Sequence, residues 1–97
     1  MARHTERHQL TAGTAHMLKE ARMAAGWTQA EAAWAVGCAA SYIAELESGR
    51  KAPSTAMAGS IISAYRLDNH RAARLLTEAV DGVGRSRPSK RREGASA

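Results

Sequence analysis

Two runs of helical spacing meet at a single glycine in this chain. In "WTQAEAAWAVGCAASYIAELESGR", Trp27 to Arg50, Thr28 is an N-cap candidate and Glu31 follows three residues later, the pattern of a capping box. Gly37 then closes a short helix, because glycine takes up a positive φ that a branched side chain resists. Cys38 and Ala39 carry the turn, and Ala39 or Ala40 to Glu47 forms the next helix. Ala33, Val36, Ile43 and Leu46 are expected to face inward and lock the two helices together. A pair this short cannot bury a core alone, so the flanking segments must supply one.

The flanks read as further helices. From Thr14, apolar residues recur at Met17, Leu18, Ala21, Ala24 and Ala25 with helical spacing. Thr14 or Thr11 caps that helix, and Gly26 ends it in a left-handed conformation. "SGRKAPS" contains Gly and Pro and is loop. Ser54 or Thr55 opens a fourth helix through Met57, Ile61, Ile62 and Tyr65. Asp68 caps a fifth, "NHRAARLLTEAVDGV", whose Ala72, Leu75, Leu76, Ala79 and Val83 form an apolar stripe. Abundant Ala with few β-branched residues favours helix over strand. The absence of Phe leaves Leu, Ile, Met, Val, Ala and the two Trp to build the core. The expected fold class is all-α, in one small domain.

Three segments follow: a flexible N-terminal arm over 1–10, a helical domain over 11–84, and a basic disordered tail over 85–97. The tail "RSRPSKRREGASA" has the Arg, Ser, Pro and Gly content of a disordered segment. It also dominates the formal charge of +5. Arg85, Arg87, Lys90, Arg91 and Arg92 against Glu93 make the tail +4, leaving residues 1–84 at +1. Any basic patch on the domain therefore depends on where a few charges sit. The lone Cys38 cannot form an intramolecular disulfide and fits a reducing interior. "MARHTERHQL" is too polar for a signal segment, and no apolar run approaches the ~20 residues of a membrane span. A soluble, cytoplasmic protein is expected.

A helix, a turn opening on Gly and a second helix is the helix-turn-helix signature, in which a partner helix holds the second one out for the major groove. The frame Thr28-Gln29-Ala30-Glu31, Val36-Gly37, Ser41-Tyr42-Ile43, Leu46-Glu47, Gly49-Arg50 and Pro53-Ser54 resembles the phage repressor and Cro type of helix-turn-helix, the XRE family. The resemblance runs without a gap over roughly Met17 to Leu67. It implies a five-helix lambda-repressor-like domain that binds double-stranded DNA, usually as a two-fold homodimer.

The same resemblance implies roles for single residues. Thr28 and Gln29 open the second helix, where Gln29 contacts a phosphate or braces the reading helix. Ala39 stands at the start of the reading helix, and Ala40, Ser41, Ala44 and Glu45 match base-facing positions. Tyr42, Arg50 and Lys51 match positions that meet the sugar-phosphate backbone. Arg22 and Glu47 match an ion pair tying the first helix to the end of the third, and Trp27 matches a core hydrophobe. Two residues depart from the pattern. Ala32 replaces a usual Leu, which should thin the core, and Trp34 replaces an exposed polar residue. Trp34 is expected to fold onto the core and refill the void beside Ala32; the alternative is an exposed ring serving a contact.

Each feature also has an ordinary reading. Glu45 on an arbitrary helix is a solvated acid; in this motif it is a candidate acceptor for a cytosine amino group. The ordinary reading of Tyr42 is a packed ring with a wet hydroxyl, and of Arg50 and Lys51 loop charges. His4 and His8 have helical spacing but no third ligand, so a solvated arm is expected rather than a metal site. His16 and His70 are surface residues and Cys38 a turn residue. The stripe of Leu75, Leu76, Ala79 and Val83 is either core or a dimer face. Ser41 lacks a local base and no Gly-rich phosphate loop is present, so neither enzyme nor cofactor is expected. The expected function is a sequence-specific transcriptional regulator, a dimeric repressor of phage, plasmid or antitoxin type. The alternatives are a protein-interaction module that uses the motif as scaffold and, on charge alone, RNA or ribosome association through the tail.

Overall fold

A computed structural model describes residues 9–80. Among them are helices α1 Ala12–Ala24, α2 Gln29–Val36, α3 Ala40–Glu47, α4 Thr55–Tyr65 and α5 Asn69–Glu78. Local chemistry sets nearly every start. The side chains of Thr11, Thr28, Ser54 and Asp68 each accept from a backbone N–H in the first turn of the helix they precede. Thr28 and Glu31 form the complete capping box. Gly26 and Gly37 turn the chain at φ of 79° and 95°. The all-α expectation holds: Ser54 and Val80 form an isolated parallel bridge, and no strand occurs among the described residues. None of the described helices is long and apolar enough to cross a membrane.

Leu18, Ile43, Leu46, Ile61 and Leu75 are fully buried where the helices converge. Each such side chain stabilises the fold by roughly 1.5–3 kcal/mol. Ala32 and Ala33 are also buried, so α2 meets the scaffold through methyl groups. Leu10, assigned by its polar context to the arm, is buried with them. Residues 1–8 of the arm, Val83 and the tail lie outside the described residues.

The fifth helix is shorter than its apolar stripe suggests. It ends at Glu78, and Ala79 is extended with ψ of 148°. The Val80 amide donates to the Pro53 carbonyl at 2.8 Å, and the Thr55 amide donates to the Val80 carbonyl at 3.2 Å. These two bonds replace the helical ones that Val80 gives up, and they tie the chain leaving α5 to the start of α4.

A polar clasp joins the ends of α1 and α5. Glu78 accepts from the Thr11 amide at 2.8 Å, the Thr11 hydroxyl at 3.0 Å and the buried Thr14 hydroxyl at 2.5 Å. Arg74 Nε donates to Thr14 Oγ1 at 3.0 Å, and a Cβ on Gly13 would collide with the Arg74 guanidinium. Burial pushes the Glu78 carboxyl up, but the hydrogen bonds from Thr14 and Thr11 and the charge of Arg74 together hold it below its ordinary value. A carboxyl depressed on folding adds stability above its unfolded pKa, and that stability disappears as pH falls through the folded value. Glu78→Gln should therefore cost about 1 kcal/mol at pH 7. The gap between variant and wild type should close on acidification below the ordinary glutamate range. Melting temperatures of both proteins across pH check this, and a gap independent of pH would show that the charge is not what the clasp uses.

Candidate nucleic-acid interface

The second helix of the motif is held from behind and open in front. The amides of Gly37 and Cys38 both donate to the Ala33 carbonyl, at 2.7 and 2.9 Å, closing α2. Ala39 starts α3 with extended dihedrals and no side-chain cap, so this helix begins without the side-chain bond that starts each of the others. Ile43 and Leu46 are buried on its inner side, with Ala33 buried and Val36 half-buried on α2. Ala39, Ala40 and Ser41 are exposed, and Ala44 and Glu45 half-buried, along the outer side. The small side chains of Ala39, Ala40, Ser41 and Ala44 leave the helix backbone accessible to close approach by a large ligand.

A buried network fixes the far end of α3. Arg22 on α1 grips Glu47 with two bonds, Nε to Oε2 at 2.5 Å and Nη2 to Oε1 at 3.1 Å. The same guanidinium donates to the Trp27 carbonyl at 2.7 Å. The two side chains are only 11% and 6% exposed. Gln29 Nε2 adds a bond to Glu47 Oε1 at 3.1 Å, so of its two anticipated uses the bracing one is present. Trp27 is half-buried and meets Tyr65 edge-on, with ring centroids 5.9 Å apart. The Arg22–Glu47 pair and the packing of Trp27 agree with what the resemblance implies.

The loop after α3 folds back onto it. Ser48 Oγ and the Arg50 amide both donate to the Glu45 carbonyl at 3.0 Å, and Gly49 turns the chain at φ of 80°. Arg50 and Lys51 emerge exposed beside α3. Lys51 Nζ lies 3.3 Å from Glu45 Oε1 and 5.6 Å from the centre of the Tyr42 ring. This coupling of Tyr42, Glu45 and Lys51 was not anticipated. Its only sequence signal is Gly49 placed so that two cations follow directly on a helix end. Tyr42 is half-buried, and burial, then the neighbouring Cys38 and Glu45, pushes its phenol up, so it is a neutral hydrogen-bonding group at pH 7.

Trp34 departs from expectation. The residue is 88% exposed, and its ring does not fold onto the core beside Ala32. Helical phase explains this, since two residues on from Ala32 is about 200° around the axis, away from the scaffold. Ala32 is itself wholly buried without help from the Trp34 ring. Trp34 instead lines a groove of about 420 Å³ with Trp27, Ala30, Glu31 and Ala35. The fifth-helix stripe splits: Leu75 is core, whereas Leu76 is 45% exposed. Cys38 is half-buried at the turn, and burial pushes its thiol up, away from thiolate chemistry. His16 pairs with Glu20 on the surface and His70 is exposed, while His4 and His8 lie outside the described residues.

Thr28, Gln29, Ala39, Ala40, Ser41, Tyr42, Ala44, Glu45, Arg50 and Lys51 thus come from the start of α2, the outer side of α3 and the loop that folds over it. A family model described as a helix-turn-helix domain matches residues 15–75, more than half of the chain. No curated protein and no solved structure matches.

Proposed function

The chain belongs to the helix-turn-helix domain family, and on that premise we propose that it is a sequence-specific regulator of transcription, of the phage repressor and Cro type, that reads the major groove with α3. The observation that carries this reading is the contrast between the two sides of α3. The inner side is anchored by Ile43, Leu46 and the Arg22–Glu47 pair, and the outer side is mostly small and exposed, with Ser41 and Glu45 its polar groups. Such a helix can enter a groove without losing its hold on the scaffold. Ala39, Ala40 and Ala44 offer contact to thymine methyls, and Ser41 and Glu45 offer hydrogen bonding to base edges. Thr28, Tyr42 and Arg50 are assigned to the phosphate backbone, and Lys51 stands beside Glu45. The role is binding rather than catalysis.

A repressor acting as a homodimer is the form proposed, with two α3 helices in successive major grooves roughly 34 Å, or ~10 base pairs, apart. Exposed Leu76 on α5 is the candidate centre of the dimer contact. Selection of binding sites from random duplex DNA tests the proposal. A palindromic motif with half-sites one turn apart is the expected product. A single non-palindromic half-site would remove the dimer but keep the regulator.

A second reading draws on exposed Trp34 and the apolar groove beside it, which suit a protein partner. In that reading α3 is scaffold, and selection from random DNA would enrich no motif at all.

A further inference from the structure

Lys51 occupies a position that a backbone-contacting cation would fill, yet its ammonium is committed elsewhere. It lies 3.3 Å from Glu45 Oε1 and over the face of Tyr42 at 5.6 Å. Tyr42 and Glu45 are three apart on α3, so they share one side of the helix. The loop that delivers Lys51 is constrained by two hydrogen bonds to the Glu45 carbonyl and by the left-handed turn at Gly49. A Cβ at Gly49 would press on the Leu10 carbonyl at 3.3 Å, which shows how closely the loop is packed. The reach of Lys51 is therefore set by the fold and not only by side-chain freedom.

We propose that Lys51 is a specificity-determining residue that aims the Glu45 carboxylate at a base amino group, rather than a general phosphate contact. The inference rests on the DNA-reading function proposed above. A bare carboxylate on a groove-reading helix meets the field of two phosphate strands and is pushed out of the groove. Lys51 offsets that charge at its source. It engages Oε1, and a carboxylate retains acceptor capacity on its second oxygen for an exocyclic N–H of cytosine. The Tyr42 face holds the ammonium on the Glu45 side through cation–π attraction. Arg50, the neighbouring cation, has no such tie to Glu45 and is left to serve phosphates.

The test compares affinities of the full chain for a set of duplexes. The set consists of the selected site and its variants at single base pairs. Glu45→Gln identifies the base pair read through this side chain. Lys51→Met should reduce discrimination at that same pair about tenfold, and Lys51→Arg should restore most of it. In Lys51→Met/Glu45→Gln, discrimination should fall no further than in Glu45→Gln alone. Arg50→Ala should weaken every duplex by one common factor and leave discrimination intact, with a shallower salt dependence. If Lys51→Met also lowers all affinities by one factor with discrimination unchanged, the positioning role is overturned and Lys51 is a phosphate contact. A wild-type chain that binds all duplexes equally, or none, would overturn the DNA-reading function itself and the role of Lys51 with it.

Discussion

Glu47→Ala is expected to destabilise the fold by about 3 kcal/mol and to remove DNA binding with it. The carboxylate accepts two bonds from Arg22 and one from Gln29, in surroundings where both ionic side chains are nearly sealed from water. Truncation strands the guanidinium without its counter-charge, and breaking a buried pair from one side costs more than the pair contributes when intact. The end of α3 loses its polar tie to α1, while the buried Ile43 and Leu46 still pack against the core. For a domain of this size, 3 kcal/mol corresponds to a fall in melting temperature of roughly 12–24 °C. Urea denaturation of the variant measures the loss. A loss below about 1 kcal/mol would place the pair among ordinary surface bridges. Replacing both partners by apolar residues of similar volume, as in Arg22→Met/Glu47→Leu, should recover much of the stability.

Ala40→Asp should separate folding from binding. Ala40 is the first residue of α3 and exposed. An acid in the first turn interacts favourably with the helix dipole, by about 0.3–1 kcal/mol. The fold should therefore be unchanged or slightly more stable. The same carboxylate stands on the side of α3 assigned to the groove, where it meets phosphates and base acceptors. Affinity for the selected duplex should fall on the order of 100-fold, since like-charge contacts across an interface cost several kcal/mol. Opposite signs for stability and affinity are the expected signature. Retained affinity would place the outer side of α3 away from DNA.

What could be read from residues alone follows the range of the interactions involved. The starts at Thr28 and Asp68 and the left-handed turns at Gly26 and Gly37 are decided within four residues, and each stands where capping chemistry puts it. Thr11 and Ser54 resolve choices between neighbouring hydroxyl residues. The end of α5 was not legible, because Val80 leaves the helix to pair with Pro53 and Thr55, residues distant in sequence. Leu10 was hidden by polar neighbours, since a single anchoring side chain has no period to display. Trp34 could have been placed by phase, given that Ala33 and Val36 already fix the inner side of α2. Volume matching with Ala32 argued the other way and lost, because Trp34 lies on the opposite side of α2 from Ala32.

The candidate interface divides in the same manner. The Arg22–Glu47 pair was legible only through the family resemblance, as nothing local links residues that far apart. The link from Lys51 to Glu45 and Tyr42 depends on how Gly49 folds the loop back, which spacing does not reveal. Arg50 and Lys51 look alike in sequence. Only the geometry of the loop assigns them different neighbours.

The central claim, that α3 is the DNA-reading helix, is tested most directly by mapping backbone amide resonances of the 15N-labelled chain during titration with the selected duplex. Perturbations should concentrate on Thr28 and Gln29, on residues 39–45, and on Arg50 and Lys51. Perturbations confined to the Trp27–Trp34 groove or to residues 85–97, with residues 39–45 unmoved, would contradict it.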